Sequence, residues 1–336
     1  MQSIILTTIT SVIVFLLVIL IHEFGHFAVA KLVGIQVNEF SIGMGPSLYS
    51  KRRGETKYSI RALPIGGYVA MEGEDEESFN PRSFNKSPVS KRIAVILAGA
   101  IMNFILALVV LFIIGFSLGT PVNSISEFTE NSPAQVAGMQ VGDKIIRVEG
   151  IETKTWTDVT EAISKSDDKN ITITVQRSNE NIDLNVTRDE DGKVGIMANV
   201  KRSISGAIAY SIQTTIFLLN EMIKFFGRLF RGSVSINEVS GPVGIISEIG
   251  NAARTGVLNV LLILAFININ VGFFNLLPIP ALDGSKVIIL LIEAIRKKPI
   301  PQEKEGIINL IGFIFLIGLL IVVTFKDIIQ TGIFGG

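Results

Sequence analysis

The run Val12-Ile-Val-Phe-Leu-Leu-Val-Ile-Leu-Ile-His22-Glu-Phe-Gly-His26 decides the class of fold. It closes an apolar stretch, Ile4–Ile21, that is long enough to cross about 30 Å of hydrocarbon as a helix. It then sets three ionisable side chains at the end of that stretch. Such groups are costly within a span and normally face a protein interior or a cavity. These are also the only two histidines in the 336 residues, so the pair stands out from the rest of the composition.

Outward from that run, Ile93–Leu118 and Ile307–Phe325 are apolar over similar lengths, and Val257–Leu282 is a fourth candidate interrupted near its end by Pro278 and Pro280. Ala207–Phe230 carries Glu221, Lys224 and Arg228 at helical spacing, which predicts an amphipathic helix on the membrane surface instead of a fifth span. Ala28-Val-Ala30 resembles a signal-peptide cleavage site. No Lys or Arg precedes the first run, however, and the run is long for such a peptide, so a retained helix is expected. With 48% apolar and 18% charged residues and a positive mean hydropathy, the chain falls in the membrane class.

Charge sets the orientation. Ten Lys or Arg lie between Lys31 and Arg92 and five between Gly284 and Glu305, which assigns both stretches to the cytoplasm. Thr120–Val200 holds eight basic against fourteen acidic residues, as suits a domain outside. The expected topology is N-terminus out, four spans, C-terminus out.

Between the first two spans, Phe40–Met71 alternates partly with period two and is punctuated by Gly and Pro, which predicts short strands. Open strand edges are not tolerated in lipid, so these strands must lie against protein or line a cavity. The acidic Glu72–Ser78 segment is expected as a solvated loop. The outside domain mixes strand-like runs, Lys144–Val148 and Ile171–Val175, with one helical stretch, Asp158 to Ser164, and Trp156 is expected to pack. Its segment Ser132–Asp143, followed by Lys144-Ile-Ile-Arg-Val-Glu-Gly150, resembles a PDZ domain of the bacterial protease type, a fold that takes up extended peptides by strand addition.

Residues four apart share a helix face, so His22 and His26 can present two imidazoles to one ion with Glu23 beside them. That is the His-Glu-x-x-His arrangement of zinc peptidases. Zinc lowers the pKa of its water to about 7, and the neighbouring glutamate can act as base. A catalytic zinc usually takes three protein ligands. The chain has no Cys and no third His, which leaves Asp or Glu for the third. The first and third spans run in the same direction, so their ends meet at one depth, and Asp283 stands at the end of the third. Two alternatives remain: Asp283 caps a helix beginning near Lys286, or Glu293, two turns further on, is the ligand.

Taken in order, His22-Glu-Phe-Gly-His26-Phe, Pro64-Ile-Gly-Gly-Tyr-Val69, the PDZ segment, Ser240-Gly-Pro-Val-Gly-Ile245 and Asn275-Leu-Leu-Pro-Ile-Pro-Ala-Leu-Asp-Gly284 resemble the bacterial site-2 protease family, in its regulator-of-sigma-E-protease branch with a single PDZ domain. The resemblance implies an α-helical multi-pass membrane protein: four transmembrane helices, a membrane-associated β-hairpin region and an inserted extracytoplasmic PDZ domain of mixed α/β structure. Along the chain these fall as a first transmembrane helix (1–35), a cytoplasmic-side loop with strands (36–90), a second helix (91–119), the PDZ domain (120–200), amphipathic surface helices (201–256), a third segment with the Asp ligand (257–284), a cytoplasmic loop (285–305) and a fourth helix (306–326).

It further implies Zn2+ on His22, His26 and Asp283, Glu23 as general base, and a membrane-entering hairpin around Gly66 and Gly67 that guides substrate. Asn275, with Asn270, would hold the substrate backbone. The activity implied is zinc-dependent cleavage of single-span membrane proteins, anti-sigma factors or remnant signal peptides, in the bacterial inner membrane, with the active site toward the cytoplasm. Peptide C-termini at the PDZ domain and the lipid bilayer are the other partners; nucleic acid is not expected. The family often continues Gly-His after Asp-Gly, where this chain has Ser285-Lys286. A scaffold with structural zinc would not need Glu23, and a transporter would show a second interrupted segment; neither fits as well.

Overall fold

A computed structural model of the chain describes residues 2–331 except 75, 77, 236 and 237. It forms two compact units, Met1–Leu111 with Ser211–Gly336, and Phe112–Tyr210.

The first unit opens with α1 (Gln2–Val33), which runs past Ile21, so the polar motif lies inside the helix and not at its end. At 1.5 Å per residue the 32-residue helix is about 48 Å long. Gly34, at φ +87°, stops it. Its N–H bonds Lys31 O and the next N–H, of Ile35, bonds Ala30 O, while the Ile35 side chain is buried. This is the paired-bond ending that a left-handed glycine makes available.

The strands that follow are long, β1 (Val37–Arg53) and β2 (Thr56–Met71). Glu39–Ile42 pair on one side with Gly67–Ala70 and on the other with Lys57–Ile60, which in turn pair with Tyr49–Arg52. Left-handed Gly43, Gly45 and Gly66 let each strand bend enough to be used twice. The short strands expected from the alternation are thus two long, bent ones. Phe27, Ala30, Val37, Val69 and Met71 pack with Val95 and Ile96 of α2 (Val89–Leu118), so the sheet is held on the helices.

The loop after β2 is not merely solvated. Glu72 accepts from Asn38 Nδ2 (2.7 Å) and Ser78 Oγ (2.5 Å), and Glu74 pairs with Lys286 at 2.9 Å. Asp75 and Glu77 of that segment lie outside the described residues.

In the second unit, β3 (Thr120–Phe128), β4 (Lys144–Val148), β6 (Asn170–Arg177), β7 (Glu180–Thr187) and β8 (Ile196–Lys201) form a sheet in the order β7-β6-β4-β3-β8, with β5 (Ile151–Glu152) beside β4. The short α3 (Pro133–Val136) follows β3. α4 (Trp156–Lys165) starts with a reciprocal cap between Thr155 and Asp158, and its Val159 joins Ile125, Ile145 and Ile173 in the core. Trp156 packs against that core, as its sequence context predicts.

The remainder is helical: α5 (Ile204–Phe230), α6 (Pro242–Thr255), α7 (Val257–Leu276), α8 (Asp283–Arg296) and α9 (Gln302–Thr331). α7 stops six residues earlier than the apolar run, because Pro278 and Pro280 cannot donate to a helical ladder. Among the described residues, four helices are long and apolar enough to cross a membrane: Ser3–Val33, Val89–Leu118, Val257–Leu276 and Glu303–Gln330. α5 is not among them.

Candidate metal centre

One turn apart on α1, the rings of His22 and His26 stand edge to face with centroids 4.8 Å apart. His26 donates its Nδ1–H to Val95 O at 2.8 Å, which leaves the Nε2 lone pair free. That Nε2 lies 3.2 Å from His22 Nε2. Asp283 Oδ2 completes a triangle, 3.1 Å from His22 Nε2 and 3.4 Å from His26 Nε2. A four-coordinate zinc with bonds of about 2.0–2.1 Å sets its ligand atoms roughly 3.3–3.4 Å apart. The three observed edges match that spacing, so the residues fit the ion. His22 Nδ1 and Asp283 Oδ2 are buried and lack regular hydrogen-bond partners among the described residues. Lone pairs gathered this closely repel one another unless a cation sits among them. Among the described residues this is the one cluster of three metal-ligating side chains.

Glycines make the convergence sterically open. A Cβ on Gly25 would stand 2.7 Å from the Ala98 carbonyl carbon, so α1 and α2 cross nearly backbone to backbone. A Cβ on Gly99 would lie 2.7 Å from Cε1 of both histidines. Gly284 lets the start of α8 tuck under the end of α7, where a Cβ would meet Leu276 O at 2.6 Å.

Asp283 does not act as a cap. Leu282 occupies the N-cap position and Asp283 is the first residue of α8. Ala281, just before, takes a left-handed φ of +73°, a strained conformation for a residue with a side chain. Glu293 is engaged elsewhere, in a two-point ion pair with Arg92, and does not reach the centre.

Glu23 is half-buried and lies within electrostatic range of His22, His26, Asp283 and Glu74. Its Cγ would be 3.6 Å from a Cβ on Gly67, so β2 passes beside the glutamate with bare backbone. Gly66 takes φ +87° and lies against Met44. On α7, Asn275 shares a face with Gly272, which abuts the Ala100 carbonyl of α2, while Asn270 lies on the opposite face and donates to Phe266 O. From the sequence, Gly99 and Asn103 on the second span are expected to help helices pack; the contact of Gly99 with the histidines and the Val95 carbonyl were missed. The small trio Ala98-Gly-Ala100 within an apolar span was the available signal for the first, and a backbone acceptor leaves none.

The peptidase family M50 model matches residues 10–319. A Clostridium acetobutylicum relative is 37% identical over 326 residues, covering 95% of this chain and 96% of its own. The Bacillus subtilis regulator of sigma-W protease RasP is 32% identical over 413 aligned residues, covering 96% and 98%. The Bacillus licheniformis zinc metalloprotease RasP is 33% identical over 412, again covering 96% and 98%.

Proposed function

The chain belongs to peptidase family M50 and is an integral-membrane zinc metalloprotease; from that premise we propose that His22, His26 and Asp283 hold the zinc and that Glu23 is the general base. The observation that carries this reading is the triangle of 3.1, 3.2 and 3.4 Å between the three donor atoms.

When bound, zinc acidifies a water molecule and polarises the peptide carbonyl. Glu23 receives the proton released by the attacking water and passes it to the leaving amide nitrogen. A peptide bond within a helix is shielded by its own hydrogen bonds, so the substrate must be extended before it reacts. The bare β2 backbone at Gly66 and Gly67, beside Glu23, supports a role in holding such a segment by strand addition. Asn275, on the α7 face toward α2, is placed to bind a substrate carbonyl or amide; Asn270, across that helix, would act from the other side.

Substrates are transmembrane segments of single-span proteins, of the anti-sigma-factor type or remnant signal peptides. The charge asymmetry supports a centre toward the cytoplasm, with the PDZ domain of residues 120–200 outside. That domain either captures peptide C-termini or excludes substrates with bulky outer parts.

The test is zinc content and cleavage of a single-span substrate in detergent, for wild type, Glu23→Gln and Asp283→Ala. We expect Glu23→Gln to keep zinc and lose cleavage, and Asp283→Ala to lose both. Undiminished cleavage by Glu23→Gln would remove it as the base, and full zinc in Asp283→Ala would remove that ligand.

A further inference from the structure

His26 has an orienting partner, the Val95 carbonyl, whereas His22 Nδ1 is buried and has none among the described residues. Metal-bound histidines almost always donate their second ring N–H to an oxygen, which fixes the tautomer and raises basicity. The same face of α2 carries a candidate. Val95, Gly99 and Asn103 are spaced four apart, so they form one row along the helix. Val95 meets His26, and Gly99, one turn on, meets both rings. Gly25 of α1 meets Ala98, so α1 is traversed toward its N-terminus as α2 proceeds. The next turn of the row, at Asn103, therefore falls on the His22 side. Asn103 is fully buried, and neither its Oδ1 nor its Nδ2 has a hydrogen-bond partner among the described residues. A buried unpaired amide is destabilising, because it gives up its hydrogen bonds to water and regains none. An apolar residue would avoid that cost in a helix that only needed to pack.

We propose that Asn103 is a positioning residue for the metal centre: its Oδ1 accepts, across one water, the hydrogen bond that the His22 Nδ1–H donates, and so keeps the His22 Nε2 lone pair on the ion. The proposal rests on His22 being a zinc ligand. Asn268 of α7, also fully buried with a partnerless Oδ1, is the competing acceptor.

The test measures zinc affinity of the full chain in detergent, by competition with a chelator, for wild type, His22→Ala, Asn103→Leu, Asn103→Asp and Asn268→Leu. Loss of an outer-shell partner typically weakens metal binding 10–100-fold. Asn103→Leu should show that loss without a lower melting temperature of the metal-free protein, and Asn103→Asp, which keeps an acceptor, should restore binding to within about threefold of wild type. Unchanged affinity in Asn103→Leu, or a loss confined to Asn268→Leu, overturns the proposal. His22→Ala separates the two levels, because full zinc affinity in that variant defeats the ligand assignment itself.

The chain has only two histidines, so histidine-labelled nitrogen NMR gives a second readout that does not depend on affinity. Two slowly exchanging Nδ1–H signals are expected in the zinc-loaded wild type and one in Asn103→Leu. A single such signal in the wild type overturns the proposal.

Discussion

Gly99 of α2 stands under His22 of α1, so close that a methyl group added to it would lie 2.7 Å from His22 Cε1. Neither ring can retreat without breaking the donor triangle with Asp283. Gly99→Ala should therefore lower zinc affinity and cleavage by at least about tenfold, as misplaced ligands do, while far-ultraviolet circular dichroism stays as in the wild type. Wild-type zinc affinity would mean that α1 and α2 separate readily at this crossing.

Gly25 poses the opposite case, because its neighbour is backbone. A Cβ there would sit 2.7 Å from the Ala98 carbonyl carbon, and no rotamer change relieves that. Gly25→Ala should destabilise the fold by about 1–3 kcal/mol, the range for overpacking, and should lower the thermal midpoint of the metal-free protein. Gly99→Ala should leave that midpoint much closer to wild type.

Arg92 and Glu293 form a largely buried ion pair, with side chains 9% and 15% exposed. Removing one partner strands the other charge, which costs about 3–5 kcal/mol in buried pairs, whereas replacing both with apolar residues can be nearly neutral. Glu293→Met should unfold at lower denaturant than Arg92→Met/Glu293→Met. Zinc bound per folded molecule should be unchanged in both, which separates Glu293 from the ligand set.

Glu39 of β1 gives a prediction in pH. Burial alone would raise its pKa, but hydrogen bonds from Ser59, Arg61 and Tyr68 outweigh that and hold it at about 2, against an ordinary 4.5. A folded-state pKa below the unfolded one contributes stability that is present above pH 4.5 and lost as pH falls toward 2. Protection factors of the β1 and β2 amides should be insensitive to this group from neutrality to about pH 5 and should fall below it. Arg61→Met should make that loss of protection smaller and complete it at a higher pH.

Much of the molecule is legible in the sequence because its solvent is lipid. Spans of about 20 apolar residues cannot be disguised, and two histidines one turn apart inside such a span leave few readings. Asp283 followed from counting spans and from the want of other ligands. Less legible were relations that depend on tertiary packing. The alternation in Phe40–Met71 signals strands but does not state that each is used twice, because that depends on where left-handed glycines bend them. In the sequence Glu74 looks like an ordinary charge and Glu293 like a second candidate ligand, until Lys286 and Arg92 come within reach. The early stop of α7 was written in Pro278 and Pro280, yet the apolar run continues through both.

The donor triangle joins residues from opposite ends of the chain, and synthesis imposes an order on it. His22 and His26 leave the ribosome first, and Asp283 follows His26 by 257 residues. At about 5–20 residues per second that interval is roughly 13–50 s. During it the nascent chain holds two of the three donors, so the triangle cannot close until the third has been made.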